Sequence, residues 1–426
     1  MKITYLTHAC LLIEINNLKI ITDPWLVGPS WGGSLWHYPT HNYTPSNLPV
    51  PDIIFFSHGH DDHFHEETIN NFPKKWFEAK IIAPKYNVSW WEGELKKKFK
   101  KTFFLDHNQI FQIDKKSQFQ MFLNDRGDFD CSFKIKTQKN CVFFQTDNLM
   151  SEKEAQRISK IDKIDLAFVI PFLIGAFPGF YKWDSDTLIK LANEKTYKSL
   201  SYCCNIIKSL KAKYTVPYAC DLGYLGDKFH INLIHRRNKK DLVEMIKNKK
   251  IKTKPNILFP GDIVNISGGI NFNKKRKKEM SDSDSLIKFS NEKSNEYKSY
   301  QLREKSIKKP HFNQLIKIFS KNLRRNIKNK SKFKFKTLIN IKEGIRNKYL
   351  LLDFDKNLIE ETSTVRPANL KLEIESAKIR NLLLKKYPMN FMTFHNGGYE
   401  CERKVMNLSK NEKRYWSWIY NLDFFI

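Results

Sequence analysis

The amino-acid sequence predicts an α/β (α+β) fold in which two β-sheets face each other with helices outside, completed by a smaller C-terminal α+β domain. Three observations carry this expectation. The first third of the chain is a succession of short β-branched or aromatic runs, each bounded by turn-forming or polar residues. Strand-like and helix-like stretches then alternate. A lysine- and serine-rich stretch, residues 271–309, separates residues 1–270 from residues 310–426.

KITYLTH, CLLIEIN and LKIITD read as an opening meander, and DIIFFSH, KIIAP, CSFKIKT and CVFFQTD as further strands. Helices are expected at 64–72, 88–100 and 151–160. DTLIKLANEKTYKSLSYCCNIIKSL has apolar residues three and four apart, the pattern of a long amphipathic helix. A strand (AKYTVPYA), a helix (DLVEMIKN) and a final strand (PNILFP) follow. Residues 271–309 hold few apolar side chains and read as a basic linker or mobile loop. The C-terminal part opens with the helix FNQLIKIFSKNLRRNI, then strands KFKFKTLI and KYLLLDFD. A helix around LKLEIESAKIRNLLLKK and an aromatic tail complete it, with Trp416 and Trp418 expected in its core.

Composition narrows the function classes. Of 426 residues 41% are apolar and 28% charged, the balance of an ordinary globular protein. Apolar runs such as IDLAFVIPFLIGAF are too short or interrupted to span a bilayer. The opening residues alternate like a hairpin and no small-residue cleavage site follows, so a cytoplasmic location is expected. The seven cysteines are scattered, odd in number and without a C-x-x-C pair. That pattern argues for reduced thiols and against a disulfide framework, a zinc ribbon or an iron–sulfur motif. The formal charge of +29 would attract an anionic partner. Lysine is spread along the chain in company with Asn and Ile, a compositional bias rather than a patch. An anionic small-molecule substrate is therefore expected, and nucleic acid is not.

The chemistry concentrates in DIIFFSHGHDDHFH, a strand running into a histidine-rich loop. His58, His60, Asp62 and His63 satisfy H-x-H-x-D-H. Two histidines two apart at a strand end project to one side and can grip one ion, while Asp62 and His63 can hold a second. Gly59 lets the backbone turn between them. Asp23, in ITDPW, ends an early strand and could accept the second N–H of a ligand histidine; alone, T-D-P would mean a turn. Asp147, in CVFFQTDN, reads either as a carboxylate bridging two metals or as an N-cap for the helix at 151–160.

The order hairpin, T-D-P, S-H-x-H-x-D-H, strand-D-N resembles the branch of the metallo-β-lactamase superfamily that includes ascorbate-phosphate lactonase and N-acyl-phosphatidylethanolamine phospholipase D. THACLLIEINNLKIITDPWLVGPSWGGSLWHYP, FLNDRGDFDCSFKI, YTVPYACDLGYLGDKFHI and WSWIYNLDFF are similar to segments of the CMP-N-acetylneuraminate hydroxylase family. The resemblance implies a four-layer αββα sandwich and a phosphorylated or nucleotide-sugar-like substrate. It also implies one or two divalent transition metal ions (zinc, iron or manganese), with Asp62 as ligand and proton acceptor and Asp147 as bridge.

Two departures from the family pattern leave three functions open. That family's hydroxylase carries a Rieske iron–sulfur domain, whose motif this sequence lacks, so a hydroxylase component would need a Rieske-type electron-transfer protein in trans. The superfamily's further histidines are also missing: Asn124, Asp125, Arg126 and Asp128 occupy one region and Asp262 the other, while His107 falls too early. The ion would then be single, completed by Asp125 or Asp128, or the site partly degenerate. The readings are a metal-dependent hydrolase, an iron-dependent hydroxylase component and a non-catalytic binding protein. His8, at the first hairpin turn, reads equally as a site residue or a structural one. The loop Gly28 to Tyr43 is either a pocket wall presenting Trp31, Trp36, His37 and Tyr38 or a packed surface loop, and Phe172 to Trp183 a candidate lid. His65 is expected to face solvent, and NKKRKK to be solvated.

Overall fold

The computed structural model describes residues 1–426 except 87–88, 128, 173–176, 236–237, 276–282, 328–331, 385–398, 403–409, 412–413 and 416–426. The opening meander is β1 (Lys2–Thr7), β2 (Cys10–Ile15) and β3 (Leu18–Thr22), followed by β4 (Leu35–His37), β5 (Ile53–Phe55), β6 (Lys80–Pro84) and β7 (Thr102–Leu105). Next come β8 (Ile110–Asp114), β9 (Ser117–Leu123), β10 (Cys131–Thr137), β11 (Cys141–Phe144), β12 (Leu166–Val169), β13 (Tyr214–Pro217), β14 (Leu222–Tyr224), β15 (Lys254–Pro255), β16 (Ile263–Asn265) and β17 (Asn271–Asn273). The helices of this part are α1 (Glu66–Asn70), α2 (Ser89–Lys98), α3 (Glu152–Ile161), α4 (Ser185–Leu210), α5 (His230–Ile234) and α6 (Lys239–Asn248).

Two sheets form, an eight-stranded one in the order β17-β16-β1-β2-β3-β5-β6-β7 and a seven-stranded one in the order β15-β13-β12-β11-β10-β9-β8. Their facing surfaces bury one cluster that includes Ile3, Ile13, Phe55, Phe119, Phe133, Phe144 and Phe168. Pleating brings four of these aromatics into a cross-strand ladder: Phe119, Phe133, Phe144 and Phe168 stack with centroids 4.8, 4.5 and 5.1 Å apart. Phe64, Ile69, Trp91 and Leu95, from α1, α2 and the turn before α1, cover one outer face. Ala155, Ile158, Leu200, Ile207, Leu242 and Ile246 of α3, α4 and α6 cover the other. The result is the four-layer αββα sandwich.

Residues 271–309 differ from the expected linker or mobile loop. They contain β17 and a 24-residue helix, α7 (Ser283–Ser306). Few of its side chains are apolar, but Leu286 and Phe289 are buried, and Tyr297 and Tyr300 pack on Trp36. Tertiary packing rather than an apolar stripe holds it. The C-terminal region follows with α8 (Phe312–Ile327), β18 (Lys336–Glu343), β19 (Arg346–Asp353), β20 (Leu358–Thr362), β21 (Leu370–Glu375), α9 (Ser376–Leu384) and β22 (Tyr399–Glu402). LKLEIE, expected as helix, is strand β21, because Leu370, Leu372 and Ile374 bury every second position on one face. PNILFP yields only the short β15. Trp416 and Trp418 lie outside the described residues; Tyr415 is buried.

The core of the C-terminal sheet continues into the first domain, since Trp25, Trp31, Leu35 and Tyr224 share one buried cluster with Leu315, Phe319, Ile339 and Leu350. Lys378 ties the parts together, donating to the Gly32 carbonyl at 2.7 Å and pairing with Glu304 at 2.6 Å. A cavity of about 840 Å³ lies there between α7 and the C-terminal sheet, and none of its lining residues belongs to the histidine motif.

Candidate metal centre

Strand β5 runs buried and parallel between β3 and β6, and its end delivers Ser57 and His58 to the rim of the sandwich. The chain then turns tightly, with His63 and Phe64 N–H groups both donating to the His60 carbonyl. This turn folds His58, His60, Asp62 and His63 around one point. His8 arrives from the β1–β2 turn, where it adopts a left-handed φ of 42°. Its carbonyl is held by the Ala219 N–H and the Tyr5 hydroxyl, which fixes the ring against the motif.

Three overlapping groups of ligand atoms result. His58, His60 and Asp130 form one, His8, Asp62 and His63 a second, and His58, His63 and Asp147 a third; within each group the atoms lie within 4.8 Å of one another. His58 Nε2 faces Asp130 Oδ1, His8 Nε2 faces Asp62 Oδ2 and His63 Nε2 faces Asp147 Oδ1, each at 3.3 Å. The residues fit a metal on a simple test. Nε2 of His58 and His63 and Oδ1 of Asp62 and Asp147 are closed to solvent yet make no hydrogen bond. Orphaned donors and acceptors of this kind are rare in a folded interior, and here they converge.

The groups behind the ligands set which nitrogen faces the centre. Asp23 Oδ2 sits 2.9 Å from His63 Nδ1 and accepts from Ser57 Oγ at 2.7 Å, while its Oδ1 accepts from the Ser57 N–H. Ser57 Oγ also lies 2.8 Å from His58 Nδ1. Both imidazoles are thereby held by Nδ1 with Nε2 turned inward. Burial, reinforced by the neighbouring imidazoles, holds His58 well below the ordinary histidine range. Burial lowers His60 too, against the pull of Asp62 and Asp147. Burial also acts to lower His63, but Asp147, Asp23 and Asp62 outweigh it and hold the ring well above the ordinary range. Asp62 is lowered in spite of burial, by His63 and His8 first.

Asp130 is the residue the sequence reading missed. It directly precedes β10, and Asp147 follows β11; because those strands are antiparallel, both carboxylates stand at the same sheet edge. Asp125 does not join any of the three groups, because it accepts from the N–H and hydroxyl of Ser151 and so anchors the start of α3. Asp128 lies outside the described residues. Ser151, not Asp147, caps α3. Trp36 faces α7, its indole N–H donating to the Gly33 carbonyl at 3.0 Å, whereas His37 lies against Trp25 with ring centroids 3.8 Å apart and the planes tilted by 43°. His65, expected to face solvent, is 2% exposed and caps α1 by accepting the Thr68 N–H. His107 lies by Glu154, and Asp262 accepts the N–H groups of Phe259 and Lys275 in a turn. Of the candidate lid, residues 173–176 lie outside the described residues.

Residues 2–177 match the family model of the beta-lactamase superfamily domain. The αββα sandwich that these residues begin has the metallo-β-lactamase superfamily fold. The metallo-β-lactamase fold implies divalent metal, and the groups around His58 and His63 are its candidate ligands. The chain is 40% identical over 70 residues to a cytidine monophosphate-N-acetylneuraminic acid hydroxylase from Asterias rubens, a match covering 16% of this chain and 11% of that protein. With the hydroxylase of that name from Xenopus laevis it shares 24% identity over 238 residues, 53% of this chain and 39% of the relative. The chain thus spans less than half the length of these curated relatives. Among solved structures it is similar to Igni18, a metallo hydrolase from Ignicoccus hospitalis, at 15% identity and a TM-score of 0.41, covering 62% of this chain and 97% of that one. No helix among the described residues is long and apolar enough to cross a membrane.

Proposed function

We propose that this metallo-β-lactamase-fold protein is a metal-dependent hydrolase acting on a phosphorylated or nucleotide-sugar-like substrate. The observation that carries the reading is the convergence of two half-sets, His58, His60, Asp130 and His8, Asp62, His63, joined by Asp147 beside His58 and His63. Each half-set combines two imidazoles with one carboxylate, a donor set that suits zinc, iron or manganese. Divalent ions held there supply Lewis acidity and lower the pKa of a bound water to about 7.

The chain's own residues do the rest. Asp23 and Ser57 hold His63 and His58 by Nδ1, so their Nε2 atoms stay aimed inward through turnover. Asp62 keeps Oδ1 free of hydrogen bonds and is the acceptor for a proton leaving the attacking water. Burial of His8, His58 and His63 strengthens every electrostatic contact inside the site, and the excess of lysine draws an anionic substrate toward it. The test is turnover of nucleotide sugars, phosphodiesters and lactones by protein loaded with zinc, iron or manganese, beside Asp62→Asn. Absence of hydrolysis with all three metals overturns the hydrolase reading.

A second reading is favoured by Asp130. Two imidazoles and a carboxylate with open positions are the ligand set of non-haem iron oxygenases, and the relatives from Asterias rubens and Xenopus laevis are named as hydroxylases. In that case the protein is an iron-dependent hydroxylase component that takes electrons from a Rieske-type partner. Oxygen consumption that requires both iron and such a partner would establish it. The set of three carboxylates around the histidines speaks against a decayed, merely binding site.

A further inference from the structure

We propose that His37 and His41 form a hydroxyl-reading subsite beside the metal centre, and that with Lys293 they select a substrate carrying several hydroxyls and one anionic group. The inference rests on the reading that substrate is bound at this centre. It adds the part of the substrate that does not react.

The two rings lie next to the centre by a short chain of contacts. His8 meets His63 edge-on with centroids 5.4 Å apart, Trp25 meets His8 at 5.5 Å, and His37 lies against Trp25 at 3.8 Å. His41 is the next ring, 4.4 Å from His37. His37 ends β4, whose pairing with β14 sets it opposite Leu222 and fixes its place at the rim.

What marks these rings is their unanswered polarity. Both ring nitrogens of His37, and Nε2 of His41, are closed to solvent and make no hydrogen bond. His41 Nδ1 accepts the Tyr43 N–H at 3.1 Å, which puts the ring proton on Nε2 and makes that atom a donor without an acceptor. Asp221 adds an acceptor: Lys239 holds its Oδ1 at 2.7 Å, while Oδ2 makes no hydrogen bond. Each unanswered buried group has given up its water without a partner in return, a desolvation cost that nothing in the fold offsets. Several of them side by side mark a surface that a ligand completes.

The chemistry of that surface selects hydroxyls. Burial drives both imidazoles to the neutral form, His41 down to about 4 and His37 well below its ordinary range. Neutral His37 offers one donor and one acceptor, His41 offers its Nε2 donor, and Asp221 offers an acceptor; a hydroxyl both donates and accepts. Lys293 stands one helical turn beyond Phe289 on α7, and the Phe289 ring meets that of Tyr38, the neighbour of His37, at 4.9 Å; its positive charge lowers both imidazoles further. Among the described residues its ammonium pairs with the half-exposed Glu296 at 2.6 Å, a bond that a ligand carboxylate or phosphate can replace. A second metal does not explain the pair, since among the described residues neither imidazole belongs to a three-ligand group.

The experiment is calorimetric titration of the full, metal-loaded chain with glucose 6-phosphate, with inorganic phosphate and with glucose. The expected result is glucose 6-phosphate binding at least tenfold tighter than phosphate. His37→Phe and His41→Phe should reduce it to the level of phosphate while metal content and phosphate binding stay unchanged. His37→Gln, which keeps a donor and an acceptor, should restore part of the preference, and Lys293→Met should weaken glucose 6-phosphate but not glucose. The subsite is overturned if wild-type protein binds the sugar phosphate no better than phosphate. It is equally overturned if the Phe variants bind like wild type, or if they lose metal together with the sugar. Failure of the hydrolase reading looks different: retained sugar preference without turnover.

Discussion

His58 and Asp130 meet across the centre, Nε2 to Oδ1 at 3.3 Å, although one is carried by the end of β5 in the first sheet and the other by the start of β10 in the second. The contact joins the two halves of the sandwich at the candidate metal centre. Asp130→Asn removes the charge and half of the donor capacity, and should weaken the His58–His60 ion at least about tenfold while leaving the His8 half-set able to bind. Asp130→His restores a three-imidazole set and should retain metal with a preference shifted toward zinc. Metal stoichiometry by mass spectrometry, read on both variants after dialysis, checks this; equal metal in wild type and Asp130→Asn removes Asp130 from the ligand set.

Asp23 makes a different prediction because it belongs to none of the three candidate ligand groups and acts from behind them. It holds His63 Nδ1 and both hydrogen-bonding groups of Ser57. Asp23→Asn should lower metal affinity by roughly 10–100-fold without changing stoichiometry at saturating metal. A competition titration against a chelator measures it, and an unchanged affinity would show that the Asp23 contact does not orient the ring.

How far the sequence displayed all this depends on whether the partners are local. His58, His60, Asp62 and His63 lie within one strand-to-helix turn, so spacing alone reveals them. Asp130 reaches the site only through the packing of a second sheet, and its one local sign is its position just before β10. The meander strands were legible because alternation is a local signal, and LKLEIE obeyed the same period-two rule despite its expected helix. Helix α7 was hidden for the opposite reason. Its sequence is polar, and distant contacts, among them those with Trp36, the Gly33 loop and Lys378, explain why it is ordered.

The buried pair Lys239–Asp221, 2.7 Å apart, supports the centre at one remove, since Lys239 also donates to the hydroxyl of Tyr5, which in turn holds the His8 carbonyl. Lys239→Met leaves Asp221 charged, buried and alone, and should cost about 3–5 kcal/mol. The double variant Lys239→Met/Asp221→Leu should recover most of that loss. Chemical denaturation of the four proteins in the cycle tests the pairing, and additive losses would show that the two groups act separately.

His41 gives the pH dependence its sign. Its folded-state pKa is about 4, against an ordinary value of 6.5. Below 6.5 the unfolded chain takes up a proton that the folded chain refuses, so stability is full above that value and falls as the pH drops toward 4. The loss can reach roughly 3 kcal/mol. His41→Gln should flatten the dependence between these limits, and stability curves of both proteins at pH 5 and pH 7 read it directly. A His41→Gln protein as acid-sensitive as wild type would exclude the ring as the source.

Gly33 is where the loop beside the centre meets α7. Its φ is +84°, and a Cβ at that position would fall on the ring of Tyr300. Gly33→Ala therefore combines a left-handed backbone, which costs an L-residue roughly 1–2 kcal/mol, with overpacking, which costs about 1–3 kcal/mol. The Tyr300 ring must move, and with it the contact between α7 and Trp36, 6.4 Å between centroids. The expected outcome is a lower melting temperature together with faster amide exchange confined to α7 and the Gly28 to Tyr43 loop. Gly33→Ala/Tyr300→Ala relieves the clash but not the backbone strain of the loop, so α7 should regain exchange protection ahead of the loop. If Gly33→Ala leaves α7 as protected as in wild type, the helix is held by its other contacts and the loop beside the metal centre is free to move without it.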